Sequence, residues 1–336
     1  MLYLPYYPMS IFLQQIINGL TLGSLYAIVA LGYTMVYGIV QLINFAHGEV
    51  VMFGAMISLT VVAAASGHGL PPLAVILLGV LVAVPSCMLL GYLLERVAYR
   101  PLRTAPRLAP LITAIGMSII LQQMALLIWS RNNLAFPQIL PFVAYNIGGA
   151  TISALQIAII AICLLMMAGL AVLVYRTRLG AAMRATAENP DIARLMGVDV
   201  DAVIAITFAI GAGLAAVAGL MVGMYYGIAH YTMGTTLGMK AFSAAVLGGI
   251  GNIPGAMVGG VLMGLVEALG AGYIGSLTDL CSYHFLAPLM GSRCGADQHF
   301  VLMGSNYQDV FAFFVLILVL VFRPSGLLGE RVSDRA

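Results

Sequence analysis

Residues 176–201 read RTRLGAAMRATAENPDIARLMGVDVD, the longest polar run between two apolar spans. Arg176, Arg178, Arg184 and Arg194 fall in it, with Glu188, Asp191, Asp199 and Asp201, from a chain total of 14 basic and 12 acidic residues. A short helix is marked inside this run. Asn189 suits an N-cap, and Pro190 stands where a missing N–H costs nothing. Asp191 lies toward the positive end of the helix dipole and Arg194 toward the negative end. Gly197 can adopt the left-handed conformation that stops the helix. The helix is then roughly seven residues, about 10 Å at 1.5 Å per residue. A helix that short is marginal alone in water, so something must pack on it, either the membrane domain or a cytosolic partner.

Outward from this run the chain is apolar. It is 62% hydrophobic and 8% charged, where ordinary globular chains are about 25% charged. Apolar segments fall at about 11–39, 48–66, 71–94, 110–129, 152–175, 202–226, 237–272 and 307–322. The fold class expected is an all-α polytopic integral membrane protein. The 38 glycines suit close helix–helix contact in lipid. A net charge of +2 gives no ground for a nucleic-acid partner. No Lys or Arg precedes Arg96, so the first apolar segment is expected to be retained and not removed as a signal peptide. No internal repeat, low-complexity tract or soluble domain boundary is visible, and the chain reads as one membrane domain over 1–336.

The basic residues set the orientation. Arg96, Arg100, Arg103 and Arg107 form one loop, 176–201 a second, and Arg323, Arg331 and Arg335 the tail; only Arg131, Lys240 and Arg293 lie elsewhere. Positive-inside logic places all three clusters in the cytoplasm. Parity then requires an even number of crossings, or a re-entrant element, between 226 and 307. The run AAVLGGIGNIPGAMVGGVLMG (244–264) supplies a break. Two short crossings are expected, about 236–248 and 255–272, turning around Gly251–Pro254, with 248–255 non-helical and buried. The count is eight to nine transmembrane helices with this glycine-broken pair near the C-terminal third, and the N-terminus outside.

A second landmark is VYGIVQLINFAHGE (36–49), where Asn44, His47 and Glu49 interrupt an apolar context. Polar residues at membrane depth face a bundle interior or a cavity. Two accounts stay open: a broken helix lining a substrate path, or an interhelical polar cluster or short cytoplasmic turn. Gly249, Gly251 and Asn252 join these three as candidates for the path. Lys240 is expected to snorkel to the interface, Glu267 to snorkel or pair, and Asp309 to cap the last helix. Tyr225, Tyr226, Tyr231 and Trp129 suit an aromatic belt. Cys87 and Cys163 are expected as packing residues. No Walker loop, catalytic triad or zincin spacing occurs, so the chain carries no catalytic machinery of its own.

These landmarks carry a resemblance. The stretches GLTLGSLYAIVALGYTMVYGIVQLINFAHGEV (19–50), ERVAYRPLR (95–103), LITAIGMSIILQ (111–122), RATAENPDIARLMGVDVDAVIAITF (184–208), GMKAFSAAVLGGIGNIPGAMVGG (238–260) and FRPSGLLG (322–329) together resemble the branched-chain amino-acid ABC transporter permeases, specifically the first of the two paired permease subunits. The resemblance implies a multi-pass protein of the bacterial inner membrane. It implies partners: a second homologous permease, two ATP-binding subunits that hold ATP and Mg, and a periplasmic substrate-binding protein, with no cofactor bound by this chain. It implies that 176–201 is the cytosolic coupling loop, with Glu188, Pro190, Asp191, Arg194 and Gly197 at the docking segment. The expected substrate is a branched-chain or other hydrophobic amino acid. Import of urea or short amides is the alternative, and an ion-coupled secondary transporter using Glu49, His47 or Glu267 is a third class.

The chain departs from that pattern at 278–305, an extra loop before Tyr307 and Asp309 that parity places outside. It contains Cys281, Cys294, His284 and His299. Three readings compete: a disulfide worth about 3 kcal/mol on the chain-entropy model, a zinc site, or a mobile insertion with free thiols.

Overall fold

The computed structural model describes residues 9–103, 105–106, 108–141, 143–278 and 307–329. Cys281, Cys294, His284 and His299, with the disulfide, zinc-site and mobile-insertion readings of them, lie outside the described residues. The chain is a bundle of eleven helices among the described residues: α1 (Met9–Val40), α2 (His47–Ser66), α3 (Pro72–Leu94), α4 (Leu108–Trp129), α5 (Ala154–Arg176), α6 (Arg178–Glu188), α7 (Pro190–Leu195), α8 (Val200–Tyr226), α9 (Met233–Gly248), α10 (Ile253–Leu277) and α11 (Gln308–Phe322). Seven of these, counting α3 with the turns that follow it, are long and apolar enough to cross a membrane. The protein is a multi-pass, all-α membrane protein. The remaining apolar helix, α11, has 15 residues and α9 has 16, about 24 Å or less and short of a bilayer core of ~30 Å. Two small antiparallel ladders decorate one end: β1 (Leu134–Ala135) pairs with β4 (Ile228–Ala229), and β2 (Ala144–Ile147) with β3 (Ala150–Ser153).

Burial sorts the helices into centre and periphery. The apolar windows of α1 and α8 are each 78% buried, against 22% for α3 and 17% for α4. The outer helices present Leu77, Leu81, Ile112, Ile119 and Leu165 outward, as a lipid-facing or subunit-facing surface requires. At the centre α1 crosses α10 through small residues. A Cβ on Gly264 would stand 2.1 Å from the Gly23 nitrogen, and one on Gly260 2.4 Å from the Ala27 Cα. Backbones this close gain dispersion contacts that larger side chains would forbid.

One end of the bundle gathers the arginines. Between α3 and α4 the chain forms a π-helical turn, Glu95–Tyr99, followed by a 3₁₀ turn, Arg100–Leu102. Arg100 and Arg103 from this elbow both reach Asp201 in the first turn of α8, at 2.5 and 2.6 Å. Arg103 also pairs with buried Glu95. The opposite end carries the ladders, where Gln14 near the start of α1 accepts from the Thr151 nitrogen at 2.8 Å. The start of α1 therefore lies at the end away from the arginines, the arrangement expected from the basic loops.

The glycine break is shorter than expected. Residues 249–252 alone are non-helical; Pro254 and Gly255 already belong to α10, because Asn252 caps it by accepting from the Gly255 nitrogen at 3.1 Å and proline is well placed in a first turn. The break is only partly buried, with Gly251 exposed. The last carbonyls of α9 are not left bare. The Leu327 and Leu328 nitrogens donate to the Leu247 and Gly248 carbonyls at 2.9 and 3.0 Å, and Asn252 Nδ2 donates to the Leu328 carbonyl at 2.7 Å. The tail thus stitches the end of α9.

The polar run gains a helix, and two further expectations are corrected. The polar run 176–201 is mostly helical, because Thr177 caps α6 through the Gly180 nitrogen. Lys240 does not snorkel: it is 7% exposed and its Nζ lies 2.7 Å from both Glu267 and Asp309. Asp309 accordingly pairs with Lys240 and does not cap α11, which has no side-chain cap bond at its start. Tyr26 donates to the other Glu267 oxygen at 2.9 Å, completing a charge cluster across α1, α9, α10 and α11 that is buried at Lys240 and Glu267 and open to the surface at Asp309.

Candidate functional site

Two places in the fold combine polar chemistry with a reason to be there. The first is the start of α2. Residues 41–46 turn back from the arginine-bearing end into the bundle, with Gln41 at φ 53°. The Asn44 carbonyl accepts from the His47 nitrogen at 3.0 Å and so begins the helix. His47 packs against Gly32 of α1, Gly211 of α8 and the edge of Tyr33, ring centroids 4.8 Å apart. Gly211 is eleven positions into α8, so α2 starts at a depth of roughly 16 Å. A helix that begins at mid-depth puts its first-turn polar residues inside the bundle.

Glu49 sits in that first turn and is fully buried. Its Oε1 accepts from Ser118 Oγ at 3.1 Å and Gln122 Nε2 at 3.0 Å, both on α4, and from Thr235 Oγ1 at 3.0 Å on α9. Gln122 also donates to Thr235. Glu49 Oε2 has no hydrogen-bond partner among the described residues, and neither does His47 Nε2. Gly234 makes room for the carboxylate, since a Cβ there would stand 2.5 Å from Oε2. One carboxylate therefore ties α2, α4 and α9 together. Ser118 and Gln122 are half-buried and Thr235 is exposed, so the ring opens to the outer face of the bundle between α4 and α9.

The structure brings Glu49 to this ring; His47, in the same turn of α2, packs instead against α1 and α8, and Asn44 precedes that turn. All three are buried and none faces lipid. Gly249, Gly251 and Asn252 are elsewhere: they lie at the arginine-bearing end, with Gly251 beside Tyr37 and Gly38 and Gly249 against Ser325 and Gly329. Ser118, Gln122 and Thr235 were missed by sequence reasoning. Each is a single polar residue in an apolar helix, and only the fold shows that they converge. The signal that existed was Glu49 itself, a charge needing donors at depth.

The second place is the surface segment of α6 and α7. Asn189 Oδ1 accepts from the Asp191 and Ile192 nitrogens at 3.0 and 3.1 Å. Pro190 occupies the first turn, and Arg194 reaches Asp191 at 3.2 Å. Gly197 ends the segment at φ 85°, with nothing within 4 Å of where a Cβ would be. Ala193 points inward while Ile192, Leu195 and Met196 point out, the last two more than four-fifths exposed. Glu188, Asp191 and Arg194 flank this apolar tip and are exposed too. This capped helix end displays three large apolar side chains at the polar, arginine-rich end.

Among the described residues no group of three or more His, Cys, Asp or Glu side chains could hold a metal ion. Cys87 and Cys163 are buried free thiols.

Residues 15–320 match the family model described as the permease component of the branched-chain amino acid transport system. The chain is 45% identical over 324 residues to the high-affinity branched-chain amino acid transport system permease protein BraD of Pseudomonas aeruginosa, covering 95% of this chain and 96% of that one. It is 42% identical over 326 residues to the corresponding LivH protein of Escherichia coli, with the same coverage. Over 101 residues, 30% of each chain, it is 36% identical to the autoinducer 2 import system permease protein LsrC of Escherichia coli. No solved structure matches.

Proposed function

Because this chain belongs to the family of permease components of branched-chain amino acid transport systems, we propose that it is the membrane-spanning subunit of an ATP-driven importer of branched-chain amino acids. It works beside a second, homologous permease in the bacterial inner membrane. A periplasmic binding protein delivers substrate, and two ATP-binding subunits hold ATP and Mg and hydrolyse it. This chain binds no cofactor and moves substrate without breaking a bond in it.

The observation that carries the proposal is the surface helix α7. Its caps at Asn189 and Gly197 set its direction, and Ile192, Leu195 and Met196 stand clear of the bundle. An ATP-binding subunit that closes on nucleotide can grip this tip and move it. Alternating access then follows if α7 is joined to the helices around Glu49. The half-open ring of Ser118, Gln122 and Thr235 gives the path a polar border, and the outward face of α9 offers Thr236 and Met239. A mixed polar and apolar wall suits an amino acid whose side chain is aliphatic.

Two readouts test the proposal. A cysteine at Leu195, in the assembled complex, is expected to cross-link to an ATP-binding subunit. Uptake with cognate binding protein and ATP is expected for leucine, isoleucine or valine and not for urea. Uptake of urea alone would replace the substrate; uptake without ATP would replace the transporter class.

A further inference from the structure

Between α7 and the Glu49 ring lies a continuous set of contacts that the two landmarks do not themselves explain. It begins at Asp201, in the first turn of α8, which Arg194 of α7 approaches at 4.0 Å. Arg100 and Arg103 clamp the same carboxylate from the elbow. The elbow changes pitch from α-helix to π-helix at Glu95, and Tyr99 closes that π turn. Tyr99 is 1% exposed, leans on Phe208 of α8 with ring centroids 5.3 Å apart, and donates its hydroxyl to Asn44 Oδ1 at 2.7 Å. Asn44 lies in the turn that leads into α2, its carbonyl accepting from the His47 nitrogen, five residues before Glu49.

Packing follows the same course. Ala98, Tyr99, Ala193, Val200, Ile204 and Phe208 belong to a small hydrophobic core distinct from the main one, and Phe45 of the Asn44 turn packs on it. This satellite core joins α7, the elbow, the foot of α8 and the Asn44 turn as one body. A rigid packed unit passes a displacement on, where a solvated loop would absorb it. The π turn is the local departure from helix geometry in α3, and such bulges occur frequently at functional sites.

We infer that the elbow Glu95–Leu102 is the lever between α7 and the Glu49 ring, and that Tyr99 is its positioning residue, holding the start of α2 through Asn44. The inference rests on the permease reading and adds to it the route by which nucleotide closure reaches the path. Tyr99 touches no substrate. Its hydroxyl ties the Asn44 turn to the lever, so its loss leaves the ATP-binding subunits able to cycle while the turn no longer follows.

The test is uptake per ATP in proteoliposomes holding the full complex with its binding protein. Four forms are compared: wild type, Tyr99→Phe, Asp201→Asn and the double variant. Tyr99→Phe keeps the ring and its packing on Phe208, and the thermal stability of each complex in detergent is measured alongside. Basal ATP hydrolysis is expected to be unchanged in Tyr99→Phe, with leucine taken up per ATP lower by about fivefold, the lower edge of usual coupling energies. The double variant is expected to be no worse than the poorer single variant, since both interrupt one chain of contacts. A wild-type uptake ratio in Tyr99→Phe overturns the inference, and so do losses that multiply in the double variant. A wild-type complex that takes up neither leucine nor urea with ATP overturns the permease reading itself, and the inference with it.

Discussion

At the scale of single residues, Glu49 and Gly197 do opposite kinds of work. Glu49 is a buried carboxylate with three donors on one oxygen, and its demand for partners fixes the relative positions of α2, α4 and α9. Glu49→Gln keeps size and one acceptor but removes the charge that draws those donors. Hydrogen bonds to charged groups are worth about 1.5–3 kcal/mol, so uptake is expected to fall by about tenfold or more with membrane insertion intact. Normal uptake in Glu49→Gln, His47→Ala and Asn44→Ala would leave the cluster a packing feature only. Gly197 touches nothing where a side chain would sit, so its requirement is purely a positive φ. Gly197→Val is expected to insert normally and lose coupled uptake, because strain of about 1–3 kcal/mol redirects the tip of α7. Gly197→Asn, which tolerates that conformation, is expected to retain most activity. Both residues were legible in the sequence, Glu49 as a charge in an apolar run and Gly197 as the stop of a capped helix. Ser118, Gln122 and Thr235 were not, because a lone hydroxyl or amide in a membrane helix has no pattern until its neighbours are known.

At the scale of elements, the apolar runs located the helices well, since helix length in a membrane is set by bilayer thickness. The turn at 249–252 was legible from its glycines, and α7 from its caps. What composition could not supply was pairing between distant elements. Lys240 looked like a snorkelling lysine because nothing nearby in sequence neutralises it; Glu267 and Asp309 arrive from two other helices. Lys240→Met is expected to leave buried Glu267 uncompensated and to cost about 3–5 kcal/mol, read as a lower unfolding temperature in detergent. Adding Glu267→Leu is expected to restore part of that loss. An unfolding temperature equal to wild type in Lys240→Met would show that the cluster does not hold α9 to α10. The α1–α10 crossing makes a sharper demand. Gly264→Val places atoms inside the Gly23 backbone, and the expected outcome is failure to accumulate folded protein, measured as the monodisperse fraction after extraction. The α6 helix and the π turn at Glu95 also escaped sequence reasoning, because their ends are set by the Thr177 cap and by the Arg103 and Asp201 contacts rather than by a hydrophobic period.

At the scale of the whole molecule, the buried centre of α1, α2, α8 and α9 is flanked by α3, α4 and α5, whose large apolar side chains remain outside. An apolar surface of that kind suits lipid. The Glu49 ring opens between α4 and α9, where lipid would be a poor neighbour for Gln122 and Thr235, and a second permease is the proposed occupant. On the proposed function, this chain lets substrate through only when ATP-driven movement reaches it at α7. The most direct measurement is leucine accumulation in proteoliposomes containing this chain, its partner permease, both ATP-binding subunits and the binding protein. Accumulation is expected to require ATP hydrolysis, to persist when ionophores collapse every ion gradient, and to disappear in Gly197→Val. Accumulation that runs on an ion gradient without ATP, or that survives intact in Gly197→Val, would contradict the account.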